Sequence, residues 1–461
     1  MSMFKDIPVD VGVIYEGERV RKADLQIEFG GTEIQDKFEL VKARKMEEVE
    51  DGKITIIGPD MKELSQGSSS PIGILIEVAG EQIEQDLEGV VERRIHYYCN
   101  YIEGFMHLNQ RYDVWLRLNK KSFEKGFNSF NLLGQVLMRL FKSELPIIKK
   151  IQVTFITDPA KVKEYKQEAM KTYEERDAKA RGLKDEEVDS FYGCTLCQSF
   201  APSHICVITP QRYANCGAIS WFDGRAAAKV DPKGPVFAVE TGELIDAAKG
   251  EFSGINKMVK EKSLGEIERV YMYSAFGYPH TSCGCFEAIA FYIPEVDGFG
   301  IVNRDFKGPT INGLAFSTMA DSTAGGRQVD GFHGIAIEYM RSPKFLQADG
   351  GWNRVVWAPS SVKERVKAFI PIELEPKILT EKDAQTLDQL KDSLKTNAHP
   401  VIERWKEQPT ATMTEAVTKQ PAREVVATVP VSYAPGGVKI VLKGAKITAK
   451  KLILRVSREG S

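Results

Sequence analysis

The chain has 461 residues, 43% hydrophobic and 27% charged, enough for two or three domains with cores of their own. Its 62 Lys and Arg nearly balance 64 Asp and Glu, so no global field selects nucleic acid or an anionic membrane as a partner. The start, MSMFKDIPVDVG, lacks the pattern of a secretory signal, and the longest run without formal charge, Ser190–Gln211, carries Gly193, Pro202 and Pro210 and is unfit as a membrane span; a cytoplasmic protein is expected.

Residues 1–157 read as a mixed α/β domain. Ile72–Val78 is strand-like, and Ile83, Leu87, Val91, Ile95, Tyr98 and Ile102 then recur at helical spacing. Phe130–Leu140 predicts a helix and Ile151–Ile156 a strand. Asp158-Pro159 is a helix start, with Asp as cap and Pro in the first turn. The charged run to Ala180 stops near Gly182, so residues 158–188 are expected to be a largely solvated linking helix.

Residues 189–407 read as a second α/β domain. Val236–Val239 is strand-like, and Leu244, Ala247, Ala248, Ile255, Met258 and Val259 give a helical face broken by Gly250 and Gly254. Val270–Ser274 is again strand-like, which predicts a βαβ unit with parallel strands whose next loop leads to Cys283. The Gly-rich Ser322–Arg327 lacks the Lys-Ser/Thr ending of a phosphate loop and is read as a turn near the site. Residues 408–430 read as a linker and 431–461 as a short basic β tail. The expected fold class is thus α/β, with two mixed α/β domains, the second carrying a metal site on its βαβ unit.

Chemistry concentrates in the cysteines. In a reducing compartment, clustered cysteines point to metal or catalysis before disulfides. Cys194, Cys197, Cys206 and Cys216 are spaced C-x2-C-x8-C-x9-C. Spacing alone leaves a [4Fe–4S] cluster and a structural zinc site both open, although zinc sites use tight ligand pairs at both ends of a loop and only one pair is tight here. Cys283-Gly284-Cys285 is different: two thiolates one residue apart can clasp one ion in a plane with the intervening backbone nitrogens, a field that suits Ni(II) or Cu(II) rather than zinc. Glycine between them lets the backbone bend around the ion. Cys99 stands apart and reads as an ordinary buried residue.

The segments YGCTLCQSFAPSHICVITPQRYANCGAISW and YPHTSCGCFEAIAF closely resemble the acetyl-CoA synthase family, in particular the β subunits of archaeal acetyl-CoA decarbonylase/synthase complexes, with a likeness running from about Ile7 to Trp405. The resemblance implies that Cys194, Cys197, Cys206 and Cys216 hold a [4Fe–4S] cluster, with Cys197 bridging to a proximal nickel. It implies that Cys283, Gly284 and Cys285 hold a distal nickel through two sulfurs and two backbone nitrogens, and that the same sulfurs bridge to the proximal nickel. There CO and a methyl group would be joined and passed to CoA, or the reverse. Implied partners are a methylated corrinoid iron–sulfur protein and CO dehydrogenase subunits, within a complex of several subunits. Phe200 matches a phenylalanine beside the proximal nickel, and Trp115 and Arg117 a region associated with CoA. Bacterial members carry a further N-terminal domain, and this sequence is expected to start after it, which leaves the route of CO open.

Other readings compete. Trp115-Leu116-Arg117 unaided is a strand with two outward side chains. Arg93, Arg94, Arg111 and Lys120 can extend a phosphate-binding surface or face water. His204 and His280 suit a role as donors to the thiolates rather than as ligands. The alternative function is an iron–sulfur electron-transfer subunit with Cys283 and Cys285 as a redox dithiol; a zinc-stabilised scaffold is weaker.

Overall fold

The computed structural model describes residues 3–108 and 111–405. Met1–Glu407 form one unit, within which the described strands make five sheets. The linker and basic tail expected at 408–430 and 431–461 lie outside the described residues.

Two four-stranded sheets build the first part. One has the order Ser68–Ser70, Leu25–Gly30, Trp115–Asn119, Phe105–Leu108. The other runs Lys37–Ala43, Ile72–Ala79, Lys150–Ile156, Ile54–Ile57, and its central pair is antiparallel, flanked by parallel pairings. The strands at 72 and 151 and the helix at 130 lie where apolar patterning predicts them, the helix extending to Glu144.

The helix foreseen from Ile83 is a short 3-10 turn, Gln85–Leu87, followed by the α-helix Glu88–Asn100. It is buried nearly all round, so its charged residues have protein partners instead of water. Glu88 and Glu92 cover the sheet's edge strand: their carboxylates accept from Ala43 N–H at 2.7 Å and Val41 N–H at 3.1 Å. Arg176 then pairs with both acids.

Asp158 caps the helix Pro159–Arg181, accepting from Lys161 N–H at 2.9 Å, and Gly182 ends it. Most of its surface is solvated, but Val162, Ala169 and Tyr173 are buried against the first part's sheet, and Ala180 packs with Tyr213 and Ala336 of the second part.

The second part departs from expectation at the βαβ unit. Val236–Glu240 pairs antiparallel with Ser190–Cys194, which pairs antiparallel with Cys206–Ile208. Leu244–Asp246 and Glu251–Phe252 form a small hairpin, and the helix starts only at Ser253. Gly250 has φ +66°, with Tyr273 filling the space of a Cβ, so the helical face cannot continue through it. Val270–Ser274 is no strand: the N–H groups of Tyr271, Met272 and Tyr273 go to the carbonyls of Tyr278, Gly250 and Lys249. The cysteines expected to bind metal therefore sit on antiparallel strands and loops, not on a parallel unit. A last sheet has the order Phe332–Ile335, Ala288–Ile293, Gly298–Asn303, Val355–Trp357, and the loop with Cys283 and Cys285 leads into its strand Ala288–Ile293.

No sheet among the described residues mixes strands from before 157 and after 189, and on that ground we propose 1–157, 158–188 and 189–407 as sub-regions of the unit. Their cores interlock: Cys197, Ala201 and Cys283 pack with the first part's apolar residues, and Leu87 and Val90 with the second's.

Asp158→Ala should lower stability by about 1 kcal/mol, the usual worth of an N-cap, while Lys163→Ala on the exposed face should change it by less than about 0.5 kcal/mol. Chemical denaturation of both variants checks this.

Candidate metal centre

The strand Ser190–Cys194 ends at Cys194, and a 3-10 turn, Leu196–Ser199, carries Cys197. Antiparallel register sets Cys206 directly across from Cys194, and Cys216 follows in a loop of the same apolar cluster. Burial pushes the Cys194 thiol up to about 12 and raises those of Cys206 and Cys216. Backbone N–H groups of Leu196, Asn215 and Ala218 turn toward these three sulfurs and favour their anions.

Cys283 and Cys285 lie in the loop before the strand Ala288–Ile293 and meet Cys197 from the other side. The sulfurs of Cys197, Cys283 and Cys285 all lie within 4.8 Å of one another. Gly284 has φ +117°, and a Cβ there would stand 3.3 Å from Ala324. The Cys285 N–H points at Cys283 Sγ, 3.3 Å away, which folds the tripeptide back on itself. Two backbone bonds hold the loop: Gly326 N–H to Ser282 O at 2.9 Å and Gly325 N–H to Cys283 O at 3.4 Å. The Gly-rich stretch is thus a turn that straps the cysteine loop, as its sequence suggests.

The neighbours of the trio come mostly from the buried helix Glu88–Asn100. Tyr97 Oη is 3.2 Å and the Arg93 guanidinium 3.7 Å from Cys197 Sγ, and His96 Nε2 is 3.7 Å from Cys285 Sγ. Arg93, His96 and Tyr97 share one helix face at i, i+3, i+4 spacing. Burial opposes the Arg93 charge, but the Tyr97 hydroxyl and the sulfurs of Cys285, Cys197 and Cys216 hold it firmly protonated. Cys285 is held well below the ordinary thiol value because the Cys197 and Cys283 thiols donate to it, with Arg93 adding to the effect. Burial, then Arg93, pushes His96 down to about 3, so it is a neutral ring. Arg93 and Arg111 neither extend a phosphate-binding surface nor face water. Both are buried, Arg93 at the sulfurs and Arg111 paired with Asp177 at 3.1 Å. His96 and Tyr97 escape the sequence patterns. Their signal is polar residues at helical spacing in a stretch that otherwise reads as core.

The remaining candidates fall as follows. Phe200 is half-buried at the end of the Cys197 turn and packs on the cluster that holds Cys197, Cys283 and Cys285. His204 Nε2 lies 3.1 Å from Cys206 Sγ, with Nδ1 2.9 Å from Thr281 Oγ1, a donor's position. His280 instead accepts from Val207 N–H at 2.9 Å and reaches no thiolate. Arg304 donates to Gly284 O at 3.3 Å. Trp115 and Arg117 do share the outward face of their strand, stacked at 4.4 Å, and both donate to Glu28, at 2.7 and 2.6 Å. They are not among the sulfurs' neighbours.

Three soft sulfur donors at this separation, beside a cation and N–H donors, fit a thiophilic metal. A protein-family model described as "CO dehydrogenase/acetyl-CoA synthase complex beta subunit" matches residues 7–162, and one for the C-terminal part of the ACS/CODH beta subunit matches 173–406. The chain belongs to this family. An acetyl-CoA decarbonylase/synthase complex subunit beta of Methanothermobacter thermautotrophicus is 51% identical, covering 98% of this chain and 100% of its own. A subunit beta 2 of Methanosarcina thermophila is 49% identical over 98% and 99%. Among solved structures, the C-terminal domain of an acetyl-coenzyme A synthase alpha subunit is 38% identical over 26% of this chain and 96% of that one, with a TM-score of 0.24. The family is one of acyl-transferring metalloenzymes, and the electron-transfer alternative does not fit it. No helix among the described residues is long and apolar enough to cross a membrane.

Gly284→Ala should strain the cysteine loop by about 1–3 kcal/mol and weaken metal retention. Tyr97→Phe should leave stability nearly unchanged but lower metal affinity about tenfold by removing a donor to Cys197. Thermal melts and chelator competition separate the two effects; wild-type affinity in both variants would exclude this loop from the metal site.

Proposed function

We propose that the chain is the acetyl-CoA synthase/decarbonylase subunit of its complex. The convergence of Cys197, Cys283 and Cys285 carries this reading, because it offers one sulfur of the spread group and both sulfurs of Cys-Gly-Cys to the same point. Cys194, Cys197, Cys206 and Cys216 would hold a [4Fe–4S] cluster. Cys283, Gly284 and Cys285 would hold a distal nickel, and Cys197, Cys283 and Cys285 a proximal one. When bound, this centre would supply the chemistry that joins CO and a methyl group and hands the acetyl to CoA, or cleaves it.

The protein's own residues prepare that site. Arg93 offsets the negative charge of the sulfurs, the Tyr97 hydroxyl and a His96 ring nitrogen stand within hydrogen-bonding reach of them, and the apolar surroundings strengthen each of these interactions. Phe200, packed on the apolar cluster that includes Cys197 and Cys283, would limit the room for small ligands. Trp115 and Arg117 remain our candidates for CoA contact: an aromatic face and a cation lie together on an outward strand face, although Glu28 already neutralises the cation. Methylated corrinoid iron–sulfur protein, CO dehydrogenase subunits and a cytoplasmic location complete the proposal.

Anaerobically purified protein should contain about two nickel and four iron per chain. Iron or zinc without nickel would overturn the assignment. Arg117→Ala should raise the CoA concentration needed for half-maximal acetyl transfer while metal content stays at the wild-type level; a fall in metal content would give Arg117 a structural role instead.

A further inference from the structure

Behind Cys285 a file of buried side chains leads away from the sulfurs. His96 Nε2 faces Cys285 Sγ at 3.7 Å, His96 Nδ1 lies 3.0 Å from His107 Nδ1, and His107 Nε2 meets a carboxylate oxygen of Glu39. Glu39 and His107 have no solvent exposure and His96 almost none. The rings are fixed in place. Asn100 accepts from His107 N–H at 2.8 Å and donates to His107 O at 3.0 Å, and the two rings stand edge to face with centroids 5.2 Å apart. Glu39 comes from the edge strand Lys37–Ala43, so the file ties that sheet to the metal loop.

A neutral imidazole carries one N–H, and a thiolate only accepts. If His96 donates to Cys285 its hydrogen is on Nε2, which leaves Nδ1 to accept. His107 must then donate from its own Nδ1. Its Nε2 and the Glu39 oxygen must share one further hydrogen. The opposite order, with an ionised Glu39 accepting from a neutral His107, makes His96 donate from Nδ1 and turns its Nε2 lone pair toward an anionic sulfur. That juxtaposition is repulsive in a buried site.

We propose that Glu39 and His107 are positioning residues that share one hydrogen and thereby fix His96 as the Nε2–H tautomer, donating to the Cys285 thiolate. Burial favours this arrangement, since it raises Glu39 above the usual carboxylate range. The inference rests on Cys285 being a metal ligand. Second partners of this kind orient ligands and set their basicity, and losing one costs about 10–100-fold in metal affinity.

The test uses the full-length, metal-free chain. Nitrogen-15 NMR of histidine-labelled protein loaded with Zn(II), a closed-shell probe, should show His96 protonated at Nε2. Ni(II) affinity, measured by chelator competition, should fall about 10–100-fold in Glu39→Leu and His107→Phe, yet stay within about threefold in Glu39→Gln, whose amide donates to His107 from the same place. Circular dichroism reports folding, and if the apolar variants are unfolded the NMR tautomer and the Glu39→Gln rescue decide. An Nδ1–H tautomer in the loaded wild type, or unchanged affinity in folded Glu39→Leu, overturns the inference while leaving the metal reading intact. A chain that takes up no nickel overturns both.

Discussion

Three sulfurs within 4.8 Å of one another, those of Cys197 and Cys283 buried and that of Cys285 half-buried, are the constraint around which the rest of the structure is organised. Bringing thiolates together in a low-dielectric interior is unfavourable unless positive charge and polar hydrogens are fixed beside them. One helix, Glu88–Asn100, supplies Arg93, His96 and Tyr97 from a single face. That helix is itself buried, so its acids on other faces need partners too. They find them in the N–H groups of an edge strand and in Arg176.

The cysteines and their compensating groups come from opposite parts of the sequence. Cys197, Cys283 and Cys285 follow residue 189, whereas the helix that serves them precedes residue 101. The site thus exists only when the two parts pack, and the packing is fastened by the long helix Pro159–Arg181, which lies on the first part's sheet and carries Asp177 to the buried Arg111 of that part and Arg181 to Glu338 of the second. Such pairs add little net stability, but breaking one leaves an uncompensated buried charge. They therefore favour one docking arrangement strongly over others.

Rigidity at the loop has a separate origin. Gly284 adopts a backbone conformation that side chains disfavour, and the turn at Gly325 and Gly326 closes on Ser282 and Cys283 through main-chain bonds. Main-chain bonds between two loops hold position without adding flexible side chains near the sulfurs. Arg304 adds a further hold by donating to the Gly284 carbonyl.

What the sequence by itself determined was local. Cys-Gly-Cys and the four spread cysteines announce thiophilic metal binding because ligand spacing is a short-range property, and the family is legible in the same segments. The strands at 72 and 151, the helix at 130 and the Asp158 cap follow from apolar period and capping chemistry, which also act within a few residues. Tertiary structure decided the rest. The βαβ pattern failed because Val270–Ser274 found its hydrogen-bond partners in a loop closed by Gly250 and Tyr273, a choice no periodicity encodes. Arg93 resembles a solvated base in sequence, and His96 shows there only as a polar residue in a stretch that reads as core, because their role depends on sulfurs one to two hundred residues away. Whether a charged side chain on a helix meets water or a buried anion is set by what packs against that face, and only the folded chain supplies it.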